Sequence, residues 1–323
     1  MIILDSNLNE LGDVEVDIDI EIGRTDSATN DFEMTNATLQ DINPGGFYIP
    51  GTEFGGLIEY TKDRAAQDYT TLKGYTWRGL LSKWIIMPEA GEDYKIVSGE
   101  ANSVISDLLN GVLGDFFTVS SADSGLTISN YQFPLYINML DGIEGMLEAY
   151  GYRLKLIGKK VAAGQPIQVE VSAVAATVVS GTFNEDNGIP MAFTMDNMGI
   201  NHLICGGSGE LQDRMIVHLY INQNGEISQT QYYTGFRERQ EFLSYDGAQS
   251  EDDLITNGIE YLKGVASCKL LEMEAPEDME LEIGDVVKGT FPDGTIIQSP
   301  VISKVYTIKE GVISYEYKIK GEE

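Results

Sequence analysis

Basic residues are scarce in this chain, and their scarcity narrows the functions open to it. Lys and Arg number 21 against 51 Asp and Glu, so the 323 residues carry a formal net charge of −30. Phosphate contacts depend on Lys and Arg, and anionic membranes attract basic segments. The charge therefore argues against stable binding of nucleic acid and against docking on a membrane surface.

Cysteine and long apolar runs are also lacking. Cys205 and Cys268 are the only thiols, a number more typical of a reducing cytosol than of a disulfide-stabilised secreted protein, although a bridge between them stays open. No run approaches the roughly 18 apolar residues of a membrane span, and the first residues lack the basic start and apolar length of a signal peptide. We expect a protein that folds inside a cell, without direct membrane insertion.

Histidine is equally rare, and neither residue carries a metal-binding pattern. His202 and His218 have no His-Glu-x-x-His motif and no cysteine pair beside them, so ordinary strand positions are favoured. Cys205 follows His202 by three residues, which leaves a thiolate–imidazole pair as the less favoured alternative.

Other short motifs fail as binding sites. Asp5-x-Asn7-x-Asn9 begins like a calcium loop, but Glu10 replaces the required Gly and Val16 stands where a bidentate Glu belongs. Residues 206–209 (Gly-Gly-Ser-Gly) lack the Lys-Ser/Thr of a phosphate loop and predict a hairpin turn. Further turns are predicted at 43–46 and in the acidic segment 184–188. The sequence thus predicts no catalytic residue, no cofactor and no metal site.

The most distinctive feature present is the segment 14–22, which reads Val-Glu-Val-Asp-Ile-Asp-Ile-Glu-Ile. Side chains alternate across a strand, so the aliphatic residues share one face. The opposite face carries Glu15, Asp17, Asp19 and Glu21. Like charges on one face repel, and no base lies between them within the segment. The pattern predicts a strand with one packed face and one acidic surface.

The order of strand and helix signals predicts an α+β, mainly-β chain of three regions. Short strands cut by Gly and Asn predict a first small β-barrel-like domain over 1–75. An inserted α+β region is expected over 76–180. A second β-barrel-like domain, with one helix near 250–264, is expected over 181–323. Two or three domains agree with the chain length.

Helical periodicity marks four segments. Thr76 is expected to cap a helix that carries Trp77, Leu80, Leu81 and Trp84. Further helices are expected over 101–113 and 135–150, and a fourth is expected to be capped by Ser250. The later strands are predicted at 152–157, 167–174, 202–205, 214–221, 269–273, 285–288, 294–298, 301–309 and 312–320.

Three segments together resemble the tail-hub, or baseplate-hub, proteins of tailed phages and phage-tail-like particles. The first is residues 5–12 (DSNLNELG), followed by the alternating strand and 31–34 (DFEM). The second is 56–60 (GLIEY), then 72–81 (LKGYTWRGLL) and 85–88 (IIMP). The third runs from 201–207 (NHLICGG) through 281–287 (LEIGDVV) to a final pair of strands. Their order spans nearly the whole chain.

The resemblance implies a non-enzymatic structural protein. Such hubs form a homotrimeric ring that continues the tail tube, with two similar β-barrel domains per subunit and α/β insertions. They join the tail tube protein above to the tail spike or tip protein below. Other baseplate proteins and a tape-measure protein are further expected partners. The implied location is the tail of a virion or phage-tail-like particle, including contractile injection systems, assembled in the bacterial host cytoplasm. Family hubs often accompany a peptidoglycan hydrolase; with no extra domain before Glu323, lytic activity is not expected here.

The acidic strand suits a channel that conducts DNA, because carboxylates repel phosphate over a Debye length of about 8–10 Å. We therefore expect Glu15, Asp17, Asp19 and Glu21 at or near the lumen, with a solvated outer wall as the equal alternative. The competing functions are a tail-associated cell-wall hydrolase and a carbohydrate-binding tail adhesin. The sequence leaves open whether the tail is contractile and whether the particle carries a genome.

Overall fold

The computed structural model describes residues 1–36, 45–64, 69–112, 116–162, 164–179, 191–196, 199–209, 211–222, 226–245, 247–248, 250–266, 268–275, 281–290 and 296–321. The predicted turn at 184–188 and most of the turn at 43–46 lie outside these residues. The described chain is mainly β with four α-helices, which confirms the α+β, mainly-β class.

The elements follow one another in the order expected for a β-rich chain with a helical middle. The helices are α1 Trp77–Leu81, α2 Ala101–Leu109, α3 Met139–Glu148 and α4 Glu251–Val265. The strands before α3 are β1 Ile2–Leu4, β2 Glu10–Asp13, β3 Asp17–Gly23, β4 Asp31–Asn36, β5 Gly46–Tyr48, β6 Gly55–Arg64, β7 Tyr69–Thr76, β8 Ile96–Glu100, β9 Phe117–Val119 and β10 Thr127–Gln132. Those after it are β11 Tyr152–Lys160, β12 Ile167–Ala175, β13 Met191–Asp196, β14 His202–Gly206, β15 Ile216–Ile221, β16 Ile227–Ser228, β17 Gln240–Ser244, β18 Cys268–Ala275, β19 Val286–Thr290, β20 Ile296–Lys309 and β21 Val312–Gly321.

The chain divides into two compact units. Unit 1 comprises Met1–Ser180, Met273–Val287 and Pro300–Lys318, and unit 2 comprises Gly181–Glu272, Lys288–Ser299 and Ile319–Glu323. The division into domains at 1–75, 76–180 and 181–323 stays a prediction.

A long sheet dominates unit 1, in the strand order β21-β20-β3-β4-β7-β6-β5-β1-β2. The acidic segment lies in its middle, because β3 pairs antiparallel with β20 on one side and with β4 on the other. Strand β4 then pairs with β7, and β7 with β6. A central strand has both edges hydrogen-bonded, so β3 is held more firmly than an edge strand would be.

Helices α1 to α3 and two small sheets form the other part of unit 1. Strand β8 pairs with β10, and β12 lies between β11 and β9. The apolar stripes predicted for these helices are buried in one core, in which Trp77, Leu81, Ile105, Leu140 and Leu147 are among the most deeply buried residues. This confirms the predicted mixture of helices and strands within 76–160.

Unit 2 contains a four-stranded sheet in the order β16-β15-β14-β17, with α4 packed on one face. Strands β14 and β15 are antiparallel. Gly206, predicted to lie in the turn between them, is the last paired residue of β14, whereas residues 207–209 lie in the connection, as predicted. Leu203, Cys205 and Leu219 pack against Leu254 and Leu262 of α4. The opposite face of this sheet carries the histidines.

Helix boundaries differ from the predictions for identifiable reasons. The α1 helix starts after Thr76, whose hydroxyl accepts a hydrogen bond from Gly79 N, as predicted, but it ends at Leu81 and leaves Trp84 outside. The α3 helix starts at Met139 because Asn138 caps it by accepting a hydrogen bond from Asp141 N. The predicted strands at 294–298 and 301–309 are one continuous strand, β20, from Ile296 onward. Among the described residues, no helix has the length and apolar character needed to span a membrane.

Candidate functional site

The predicted acidic strand has the alternation that the sequence indicates. Regular strand begins at Asp17, and the side chains of Glu15, Asp17 and Asp19 are exposed, whereas Glu21 is half-buried. The opposite face packs into unit 1, where the buried aliphatic residues are Val16, Ile18, Ile20 and Ile22, each at most 7% exposed. The aliphatic half of the pattern therefore provides the packing energy that holds the carboxylates in place.

The acidic surface continues onto the neighbouring strand β4. Asp19 lies opposite Glu33 in the antiparallel register, and Asp17 lies opposite Thr35. The side chains of Asp31 and Glu33 are exposed as well. Sequence reasoning placed 31–34 in a strand but did not join its two acidic residues to the first four. We call the six residues Glu15, Asp17, Asp19, Glu21, Asp31 and Glu33 the acidic surface.

Two lysines from other strands lie at this surface. Lys73 Nζ is 2.5 Å from Glu33 Oε2, and Lys318 Nζ is 3.3 Å from Glu21 Oε1. The segment itself contains no base, as the sequence shows, but β7 and β21 supply one each. These ion pairs involve only two of the six carboxylates, so the surface keeps a net negative charge.

Hydrogen bonds orient two of the exposed carboxylates. Asp19 accepts a hydrogen bond from Thr307 Oγ1 at 3.2 Å, and Asp17 accepts one from Glu310 N at 2.8 Å. Burial alone would raise the pKa of Glu21, but hydrogen bonds from Thr29 and the charge of Lys318 outweigh it and lower the pKa below its ordinary value. Glu21 is therefore ionised at neutral pH.

A second cluster of charges lies inside unit 1 around Arg78, which is 1% exposed. The guanidinium forms ion pairs with Glu53 and Glu144, and its Nη2 donates to Glu53 Oε2 at 3.1 Å and to the carbonyl of Leu154 at 3.2 Å. Arginine can satisfy several acceptors at once through its five N–H donors. Through this one side chain of α1, Glu53, which precedes β6, is linked to Glu144 of α3 and Leu154 of β11.

Glu144 is the least satisfied member of this Arg78 cluster. Its Oε2 is buried without a hydrogen-bond partner in the described structure. Burial raises the pKa of Glu144 to about 7, although the positive charge of Arg78 acts in the opposite direction. The residue lines a shallow cleft together with Arg24, Glu148 and Arg153.

Lys304 forms a third buried group in unit 1. It is 3% exposed and lies 3.5 Å from Glu282 Oε1. Its ammonium also lies over the rings of Phe54, Tyr315 and Tyr317, at 5.1, 5.3 and 5.7 Å from their centroids. Cation–π contacts of this kind offset part of the cost of removing an ammonium from water. These contacts link side chains of β20 and β21.

The two histidines meet on the face of the unit 2 sheet opposite α4. His202 Nε2 lies 2.7 Å from His218 Nδ1, and His202 Nδ1 lies 2.6 Å from Glu238 Oε1. Hydrogen bonds from Gln240 and then His202 lower the pKa of Glu238. Sequence reasoning treated both histidines as separate strand positions, because nothing in the sequence shows that β14 and β15 bring them together.

Cys205 does not form the thiolate–imidazole pair with His202. The two residues are three positions apart on one strand, so their side chains lie on opposite faces. Cys205 is buried against α4, and this burial raises the pKa of its thiol to about 11. Cys268 begins β18.

The segment from Asp5 to Asn9, which begins like a calcium loop in sequence, forms a hydrogen-bonded turn. Asp5 Oδ1 accepts hydrogen bonds from Asn7 N at 2.8 Å and from Asn9 N at 2.9 Å. These bonds, led by the one from Asn9, lower the pKa of Asp5. Across the described ranges, no group of three or more His, Cys, Asp or Glu side chains is arranged to hold a metal ion.

Comparison with known proteins gives matches in structure but not in sequence. No family model and no curated protein sequence matches the chain. The 43 kDa tail protein of prophage MuSo2 from Shewanella oneidensis has a TM-score of 0.50 at 9% identity, over 96% of this chain and 94% of that one. A tail protein from Neisseria meningitidis MC58 has a TM-score of 0.48 at 9% identity, over 94% and 91%. Prophage tail protein gp18 from Listeria monocytogenes EGD-e has a TM-score of 0.46 at 13% identity, over 99% and 93%.

The structural similarity between this chain and the Shewanella protein extends over nearly the full length of both chains, and it identifies the fold. At 9% identity the similarity is one of backbone structure, so the role of a residue in one protein is not transferred to the other. The chain therefore has the fold of this prophage tail protein, which agrees at the level of the fold with the resemblance to phage tail proteins that its sequence motifs indicate.

Proposed function

We propose that this chain is the structural hub of a phage tail or phage-tail-like baseplate. It forms a homotrimeric ring and joins the tail tube protein to the spike or tip protein. The observation that carries the proposal is the fold likeness to the Shewanella prophage tail protein over 96% of this chain. The order of the tail-hub motifs along the sequence supports the same role independently.

The acidic surface supports a second part of the proposal, an acidic lumen. Its exposed carboxylates include Glu15, Asp17 and Asp19, and its net charge remains negative beside Lys73 and Lys318. A channel wall of this charge repels phosphate over about 8–10 Å and so keeps a passing polyanion from adhering. We place this surface at or near the lumen of the ring.

The role needs no catalysis by this chain. The buried carboxylates of Glu53 and Asp285 form ion pairs with Arg78 and Arg153, which supports a stabilising function for them. In the proposed particle the further partners are other baseplate proteins and a tape-measure protein. The particle would be assembled in the host cytoplasm and the protein would remain in the tail.

The test is assembly of the purified chain with the tube protein encoded beside it. We expect three-fold rings in electron micrographs and tube growth from one side of them. A chain that remains monomeric and caps no tube would overturn the hub function, and cell-wall clearing by the purified chain would favour the hydrolase instead.

The lumen is tested separately in the same rings. A cryo-electron microscopy map should show Glu15, Asp17, Asp19 and Glu21 on the inner wall. Their placement on the outer wall would refute the acidic lumen while leaving the hub function intact.

A further inference from the structure

Unit 2 has exposed aromatic side chains on and beside the sheet face opposite α4. Phe236 is 85% exposed, Phe242 51% and Tyr232 50%. Ile216, on the neighbouring strand β15, is 46% exposed. Single exposed apolar residues are ordinary, but several near one sheet face are typical of an interaction surface.

Two of these rings are paired with arginines. Arg214 Cζ lies 5.4 Å from the centroid of Phe242, and Arg237 Cζ lies 5.7 Å from that of Phe236. Arg and aromatic residues are enriched at protein interfaces and among the residues that dominate binding energy. We call Arg214, Tyr232, Phe236, Arg237, Arg239 and Phe242 the arginine–aromatic surface.

The two pairs lie toward opposite ends of β14. Arg214 Nε donates to the carbonyl of Gly207 at 3.1 Å, just beyond one end of the strand. The segment that carries Phe236 is attached at the other end, through the hydrogen bond between Glu238 and His202. Five strand residues span about 13 Å, so one partner surface could contact both pairs.

Hydrogen bonds hold this surface in one shape before any partner binds. Arg239 Nη1 donates to the carbonyl of Phe236 at 2.6 Å, and Arg239 N donates to Asn201 Oδ1 at 2.9 Å. Gln231 and Gln240 both donate to Glu238 Oε1, at 3.1 and 2.9 Å. Preorganisation reduces the entropy lost on binding, so the surface is better suited to docking than a loose loop would be.

The three arginines outnumber the one carboxylate among them, Glu238, so this surface has a charge opposite to that of the chain as a whole. Between residues 161 and 262 the sequence contains only three basic residues, Arg214, Arg237 and Arg239, and all three belong to the arginine–aromatic surface. In the described structure neither Arg237 nor Arg239 forms an ion pair with a carboxylate, although the chain contains 51 acidic residues. Such a patch selects an acidic partner.

An acidic complement exists on the other side of the same unit. Helix α4 covers the opposite face of the sheet, and its first turn carries Glu251, Asp252 and Asp253. Glu251 and Asp252 are exposed. Complementary patches on opposite sides of one unit produce a head-to-tail contact between copies, and such contacts close into rings when the rotation permits.

We propose that the arginine–aromatic surface docks onto the first turn of α4 in a second copy of this chain. This inference rests on the proposed homotrimeric hub and names the contact that would close its ring. The aromatic rings supply the buried apolar area, and the arginines pair with the carboxylates of the neighbouring copy.

The experiment measures self-association of the full chain by sedimentation velocity, with circular dichroism as a check on folding. We expect Arg237→Glu combined with Arg239→Glu to weaken association at least tenfold, and Phe236→Ser, at a side chain that is largely in solvent, to do the same. Glu251→Lys combined with Asp252→Lys should weaken it equally. Lys309→Glu, an exposed charge reversal in unit 1, is the matched control and should leave association unchanged.

Rescue provides the decisive comparison. The chain that carries both pairs of reversed charges should regain association, because the complementary signs are restored in the opposite sense. If the wild type forms trimers and the arginine variants form them equally well, this inference is overturned while the hub function stands. If the wild type does not associate at all, the homotrimeric ring fails as well.

Discussion

Asp19 lies directly opposite Glu33 across the antiparallel pair of β3 and β4, so two carboxylates face solvent on adjacent strands. Like charges in this position are normally unfavourable. Lys73, which pairs with Glu33 at 2.5 Å, reduces the repulsion without cancelling the charge of the surface. This central strand therefore carries a like-charge pair at some cost in stability.

Neutralising Asp19 should therefore stabilise the protein. We expect Asp19→Asn to raise the free energy of unfolding by about 0.2–1 kcal/mol, measured by urea denaturation at low salt. Asp17→Asn is the control, because Asp17 faces Thr35 rather than a carboxylate. Each aspartate accepts one hydrogen bond, Asp17 from Glu310 N and Asp19 from Thr307 Oγ1. A destabilised Asp19→Asn variant, or equal stabilisation by both changes, would contradict the repulsion.

Removing the charge of Arg78 should be severely destabilising. Arg78→Met leaves Glu53 and Glu144 buried without their shared partner, and breaking such a buried pair typically costs about 3–5 kcal/mol. The control is Lys95→Met, which removes a surface pair with Glu89 and should change stability by less than about 1 kcal/mol. Chemical denaturation of both variants gives the comparison. Similar small losses in the two would show that the Arg78 cluster contributes little.

The raised pKa of Glu144 predicts a pH dependence with a definite sign. The folded state holds a proton on Glu144 up to a pKa of about 7, whereas the unfolded chain releases it near the ordinary glutamate pKa of 4.5. The folded state thus binds more protons between these values, so this residue makes stability fall as pH rises from about 4.5 to 7. We expect Glu144→Gln to remove that part of the fall, as measured by thermal unfolding across the pH range.

The control for this pH dependence is the neighbouring exposed residue Glu148, which pairs with Arg24 at 2.9 Å. Glu148→Gln should leave the decline between pH 4.5 and 7 in place. An unchanged pH profile in Glu144→Gln would mean that Arg78 keeps Glu144 ionised throughout.

The Thr76 cap should be essential to α1. Its Oγ1 accepts from Gly79 N at 3.2 Å and donates to the carbonyl of Asn30 at 2.9 Å, and the residue is fully buried. We expect Thr76→Ala to cost about 1–2 kcal/mol in urea denaturation, because both bonds are lost. Ser103→Ala, which removes one exposed hydrogen bond to Glu100 Oε2 at 3.2 Å, should change stability by less than about 0.5 kcal/mol. Equal effects would show that the cap contributes nothing beyond an ordinary hydroxyl.

Local signals in the sequence were sufficient for much of the secondary structure. The alternation at 14–22 predicted which side chains of β3 are buried, since a strand places successive residues on opposite faces. Thr76 and Ser250 marked the starts of two helices because their hydroxyls accept hydrogen bonds from the first turn. The strands β8, β9 and β10 were missed, because their residues alternate too weakly to distinguish them from loops.

The candidate site was only partly predictable. Glu15, Asp17, Asp19 and Glu21 were identified by their spacing along one strand. Their extension through Glu33 depends on the register of β3 with β4, and the lysines that moderate the charge come from β7 and β21. The tertiary structure decides which residues of two paired strands lie opposite each other. The sequence of one strand therefore does not show which charged residues of its neighbours lie beside it.

The amino-acid order alone determined that β3 would have an aliphatic and an acidic face, because the two-residue repeat of a strand is a local property of the backbone. Only the tertiary structure decided which charges would meet. It brought Arg78 to Glu53 and Glu144 inside unit 1, and His202 to His218 across two strands of unit 2. These residues are distant in sequence, and contacts between them arise when packing of apolar faces brings separate elements together.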